Sequence, residues 1–185
     1  MFQFLVDTYE TERLKVLSVW SMFRDDDLGV RPHPTDRRGR SVHEHMVHQC
    51  VGENLWFINM LGIDVSAPPL PLPETRLGFI RRYAEDSKNR LDALGGQPEG
   101  WWQEEVQFFG LPRVRAWVMT RRIAHTSHHR GQQTAILRSL ARDIHSIYGP
   151  SADTGGLMQQ KAPVIYAYPD AETLVAGEVT STPFE

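Results

Sequence analysis

Apolar positions recur in four stretches of this chain at spacings of three, four and seven, the period of a helix that buries one face. Residues 4–23 form the first stretch. Leu5, Tyr9, Val16, Val19, Trp20 and Phe23 mark its apolar face, and Glu10, Glu12, Arg13 and Lys15 are expected on the other side. Asp25-Asp26-Asp27 and Gly29 end it; the three acids lack the loop pattern of a calcium site and are expected in solvent. The second stretch opens with Ser41-Val42-His43-Glu44. That is a capping box, in which the serine side chain accepts from the backbone of the glutamate and the glutamate reaches back. Val42, Met46, Cys50, Leu55, Phe57 and Met60 supply its apolar surface, and Gly62 is placed to end it. The third stretch, about 74–94, has a thin stripe of Leu77, Ile80, Ala84, Leu91 and Leu94 and stops at Gly95-Gly96. It suits a helix packed on one side only. The fourth is expected from Pro112, at the first helical position, to about Arg142. Its stripe contains Val114, Trp117, Val118, Ala124, Ile136 and Leu140, with Arg115, Arg122, Arg130 and Arg138 at other positions.

The connections are polar or rich in proline. Residues 29–40 hold Pro32, Pro34 and Gly39 with four arginines, a solvated loop or a receiver of an anionic substrate. Pro68, Pro69, Pro71 and Pro73 mark a linker. Residues 101–110 are aromatic and partly alternating, and read as a short extended segment or an irregular connection. Its aromatics either cover the end of a core or line the mouth of a pocket. From His145 onward helical periodicity stops, and Val164-Ile165-Tyr166-Ala167-Tyr168 is the one candidate strand. The expectation is an all-α four-helix bundle over 1–143 and an irregular C-terminal extension over 144–185, lying on the bundle or on a neighbouring subunit.

Composition narrows the class. Hydrophobic residues are 41% and charged residues 23% of 185, ordinary for a globular domain. A net charge of −3 gives no global attraction to nucleic acid or to an anionic membrane. The single cysteine, Cys50, excludes an internal disulfide and is expected to be a small buried hydrophobe. Without a basic leader or a long apolar run near Met1, a cytoplasmic protein is the default expectation.

The chemistry concentrates in Arg122-Ile123-Ala124-His125-Thr126-Ser127-His128-His129-Arg130-Gly131-Gln132, which carries three of the eight histidines. On a helix His125 and His129 stand about 40° apart, and His125 and His128 about 60°. Either pair can aim two imidazoles at one point, as a metal ion requires. A third ligand is sought among His43, His45 and His48 of the second helix. His43 lies near the cap; His45 and His48 share a broad face, and spacing does not choose between them. Glu53 is a candidate carboxylate ligand or base, although it lies about 140° from His48. Gly131 costs about 1 kcal/mol relative to alanine inside a helix, which points to close packing or site geometry, or else to a tolerated glycine. Gln132 either faces the site or makes a packing hydrogen bond.

Two segments together resemble the DinB superfamily: the capped helix with Ser41, His48 and Glu53-Asn54-Leu55-Trp56, and the His125–Gln132 run, of which His128-His129-Arg130-Gly131-Gln132 is the most specific part. The resemblance covers the four helices. It implies a four-helix bundle with a long crossover and a divalent metal, nickel or zinc, held by three histidines. Carried over residue by residue, these are His48, His125 and His129, which leaves His128 outside the set. Related bundles include thiol-dependent isomerases and transferases. The resemblance therefore implies a metal-dependent enzyme acting on a small molecule, either a hydrolase or a transferase with a low-molecular-weight thiol as cosubstrate. The alternative is a non-catalytic bundle with a structural metal that binds a small ligand or a partner. A homodimer is an expectation from the aromatic connection and the long tail.

Overall fold

The computed structural model describes residues 1–65, 70–142, 144–145, 147, 156 and 168–181. Helices α1 (Gln3–Ser21), α2 (Val42–Trp56), α3 (Arg76–Gly95) and α5 (Arg115–Ser139) form the bundle; α4 (Glu99–Gln103) and a hairpin of β1 (Glu105–Phe108) and β2 (Leu111–Val114) precede α5. Helix α1 packs on α3 and α5, and α2 packs on the same two. The all-α expectation holds. No helix among the described residues is long and apolar enough to cross a membrane.

The capping box starts α2 as expected. Glu44 N donates to Ser41 Oγ at 3.1 Å and Ser41 N donates to Glu44 Oε2 at 2.9 Å. At its other end α2 passes into a π-helical turn, Phe57–Leu61, and Gly62 stops it at φ 71. That left-handed angle is one that glycine takes without a Cβ clash.

Pro112 does not open the last helix. It lies in β2, paired with Gln107, and α5 begins three residues later at Arg115. The turn between the strands is Phe109-Gly110, at φ 50 and 81. Two positive φ angles in a two-residue loop match the twist of a type I′ hairpin, and a two-stranded ribbon tolerates proline because its outer edge is unpaired.

The apolar core is divided in two. One cluster contains Val16, Leu17, Trp20, Met46, Phe79, Ile80, Ile136 and Leu137. The other contains Leu5, Tyr9, Phe57, Leu61, Leu94, Trp102, Val118 and Met119. Trp102 thus covers a core end. Between the clusters in sequence, all four bundle helices bury polar groups: Glu12 and Arg13, Glu53, Asp86 and Arg90, Arg122 and Arg130.

This layer corrects the reading of charge along the helices. Glu12, Arg13, Arg122 and Arg130 are buried, because each finds a partner across the bundle. Arg130 Nη2 lies 2.6 Å from Glu12 Oε2, and Arg13 donates to Ser87 Oγ and to the Ala84 carbonyl, each at 2.9 Å. The same reason corrects α3, whose buried face is Phe79, Ile80, Tyr83, Asp86, Arg90 and Leu94. It is covered by α1, α2 and a further helix in the C-terminal segment, not on one side only.

Two other expectations are revised. Asp27 is buried and accepts from Arg142 Nη2 at 2.7 Å, so the triple acid is not uniformly solvated. The C-terminal segment contains α6 (Ala171–Ser181), which packs on α1 and α3 through buried Ala171 and Leu174. Residues 164–167 of the candidate strand lie outside the described residues.

Candidate metal centre

His125 and His129 stand one turn apart on α5 because 3.6 residues per turn brings i and i+4 to one face. Their Nε2 atoms are 3.0 Å apart. His48 of α2 meets them from across the helix pair, its Nε2 3.0 Å from that of His129. All three donor atoms lie within 4.8 Å of one another. Nitrogens at about 2.1 Å from one ion and roughly 90–110° apart stand about 3.0–3.4 Å from each other, so the donor set fits a divalent transition ion.

Protonation favours the same use. Burial, then Arg122 and His129, push the pKa of His125 down to about 3. Burial lowers His129 to about 4, a hydrogen bond to Gln132 partly opposing it. His48 is lowered by burial, then by Arg40 and Arg122. Imidazole binds metal only as the neutral base, and neutral rings are what this environment keeps. Gln132 settles which nitrogen faces the cluster. Its Oε1 is 3.0 Å from His129 Nδ1 and can only accept, so Nδ1 carries the proton and Nε2 presents its lone pair.

Neighbouring side chains hold the rings. Trp56 lies nearly parallel to His125, with ring centroids 5.6 Å apart and planes at 21°. The Arg122 guanidinium stands 5.4 Å from the Trp56 ring and donates to Thr126 Oγ1 at 3.0 Å. Gly52 lies one turn beyond His48, and a Cβ there would stand 3.5 Å from His48 Cε1, so a long side chain would cover that ring.

The other histidines stay outside the cluster. His43 lies 2.5 Å from Glu74 Oε2. His45 is buried and meets the His129 ring edge-on at 5.6 Å, but it is not one of the three convergent donors. His128 is exposed. Glu53 is not a partner of the cluster: it is fully buried, accepting from Tyr9 at 2.5 Å and Tyr83 at 3.1 Å. Cys50 is buried, and burial pushes its thiol up to about 12, so it is no nucleophile at neutral pH. Reading the chain alone missed Trp56, Arg122 and Phe108 as neighbours of the site. Trp56 was visible in the Glu53-Asn54-Leu55-Trp56 segment, whereas nothing local linked the hairpin to His125.

Comparison with known proteins agrees with the fold. The model of the DinB family matches residues 3–161. The YrdA protein of Bacillus subtilis (strain 168) is 27% identical over 104 residues, which are 56% of this chain and 62% of that protein, so less than two thirds of that relative is matched. A crystal structure of a DinB-like protein from Bacillus cereus ATCC 10987 has a TM-score of 0.62 at 20% identity, covering 76% of this chain and 92% of the other.

Proposed function

This chain belongs to the DinB family, and we propose that it is a metal-dependent enzyme in which His48, His125 and His129 hold a divalent ion, zinc or nickel. The convergence of three neutral Nε2 donors from two helices carries this reading. Three protein ligands leave a position for water or substrate, the pattern of catalytic rather than structural sites. When bound, such an ion supplies Lewis acidity, lowering the pKa of a water towards about 7 or keeping a thiol as its thiolate. The reaction class is accordingly hydrolysis of a small molecule, or transfer of a low-molecular-weight thiol to an electrophile.

The protein's own groups prepare the site. Burial holds His125 and His129 in the neutral form down to acid pH. Gln132 orients the His129 ring through Nδ1, and Trp56 holds the plane of His125. Arg122 fixes Trp56 in turn, tied to Thr126 on its own helix and to Glu53 on α2.

The test is metal analysis of protein purified without a nickel column, alongside His48→Ala, His125→Ala and His129→Ala. Near one ion per chain in the wild type and a large loss in each variant is expected. Equal metal content in wild type and all three variants would sink the reading.

A further inference from the structure

The β1–β2 hairpin brings a chain of aromatic rings to the edge of the histidine cluster. Phe108 meets Trp56 at 5.3 Å between centroids, Phe109 lies 4.9 Å from Phe108 and 6.2 Å from Trp56, and Trp117 lies 5.1 Å from Phe108. Trp56 is the ring that stacks on His125.

Phe109 is anomalous in this chain of rings. It is 74% exposed and sits at φ 50. A bulky L-residue takes that left-handed conformation at a cost, and a type I′ turn favours asparagine, aspartate or glycine there. A polar residue would make the turn more easily and keep a large apolar side chain out of water. Turn formation therefore does not account for a phenylalanine. Its place beside Phe108 and Trp56, at the rim of the site, does.

Arginines are the charged side chains that act on the three rings, and Glu44 acts on the neighbouring His45. The three imidazoles bring no negative charge, and the charged side chains acting on His48 are Arg40 and Arg122. Arg121 and Arg122 act on His125, and Arg40 acts on His129. Glu53 is engaged with Arg90 and Arg122 at 3.5 Å each, and with the two tyrosines.

We propose that the site takes a small organic anion carrying a flat apolar group, with the anion at the three-histidine centre and the apolar group against Phe109, Phe108 and Trp56. This rests on the metal reading of the cluster, which makes the centre cationic. Exposed Arg40 supplies long-range attraction, and the hairpin tip supplies the apolar contact that distinguishes the substrate from a simple anion.

Calorimetric titration of the zinc-loaded protein with phenylacetate, acetate and phenethylamine tests it, with tryptophan fluorescence as a second readout. Phenylacetate is expected to bind roughly tenfold tighter than acetate, the gain that burying most of a phenyl ring supplies. Phenethylamine, with the ring but the opposite charge, is expected to bind far more weakly. Phe109→Ser should remove most of the preference for phenylacetate at unchanged zinc content, and Arg40→Gln should weaken both carboxylates. Equal affinities for phenylacetate and acetate, no binding of phenylacetate, or equal binding of phenethylamine overturns the proposal. So does a Phe109→Ser variant that keeps the preference and turns a dimer into a monomer in sedimentation, which would make the tip a contact between copies of the chain. A wild-type chain that holds no zinc through its histidines overturns the metal reading as well, and metal analysis separates that failure from loss of the aromatic subsite alone.

Discussion

Arg122 Nη2 stands 3.5 Å from Glu53 Oε2, and neither side chain reaches solvent. The pair joins α5 to α2 about one and a half turns beyond His48. Arg90 of α3 approaches the same carboxylate at 3.5 Å, and Tyr9 of α1 donates to it at 2.5 Å. One carboxylate thus ties together the four bundle helices, including the two that carry the histidines. Both tyrosines that donate to Glu53 have pKa values raised well above the usual phenol range, by burial first and then by that carboxylate. They remain neutral donors at any working pH.

Glu53→Ala removes the only anion within reach of Arg122 that the described contacts show and one of two for Arg90. Breaking a buried pair from one side costs about 3–5 kcal/mol, because the remaining charge stays desolvated. Urea unfolding should show a free-energy loss of that size, read as a lower midpoint at constant m-value. A shift near zero would mean that the layer is hydrated and screened.

Gly131 has nothing within 4 Å of the position a Cβ would occupy, so close packing is not its reason. It lies within α5 and is exposed. Gly131→Ala should stabilise the chain by about 0.5–1 kcal/mol through helix propensity alone, without changing metal content. Thermal unfolding of the metal-free protein reads the first effect and metal analysis the second.

Gln132 holds the proton-bearing nitrogen of His129. Partners of this kind typically contribute 10–100-fold to metal affinity, so Gln132→Leu is expected to weaken zinc binding by roughly that factor. Competition with a chelator measures it. An unchanged affinity would show that packing alone orients the His129 ring.

Burial opposes the Glu12 carboxylate, but Arg130 and Lys15 outweigh it and hold its pKa below the ordinary 4.5. A carboxylate with a depressed folded pKa contributes stability that is present above its unfolded value and lost as pH falls through the folded one. Glu12→Gln should therefore destabilise the protein at neutral pH and lose less stability than wild type between about pH 5 and pH 3. Denaturant midpoints at both ends of that range decide it; parallel losses would count against the pairing.

Where helices lie follows from local geometry, which also brings His125 within reach of either His128 or His129 without choosing between them. The spacing of Leu5, Tyr9, Val16 and Trp20, the Ser41–Glu44 cap and the i, i+4 relation of His125 and His129 each depend only on neighbours along one helix. The cap geometry is confirmed in both directions by hydrogen bonds. Pro112 misled because its backbone angle suits a helix start and a strand alike, and the Phe109-Gly110 turn decided for the strand. The missed helix Ala171–Ser181 has a short apolar face that is stable only against α1 and α3.

By itself the sequence determined the four amphipathic helices, the buried inert cysteine and a two-histidine face on the last helix of the bundle. Spacing left His43, His45 and His48 open and only the family resemblance implied His48; it is the rotation of α2 against α5 in the tertiary structure that brings His48 to that face. The tertiary structure also decided that Glu12, Glu53, Arg90, Arg122 and Arg130 lie inside, where a one-helix hydrophobic pattern places charge outside. The reason is the same in both cases. Periodicity reports the preference of one helix for water or oil, whereas a ligand cluster or a buried ion pair gains its free energy only from a partner on another helix.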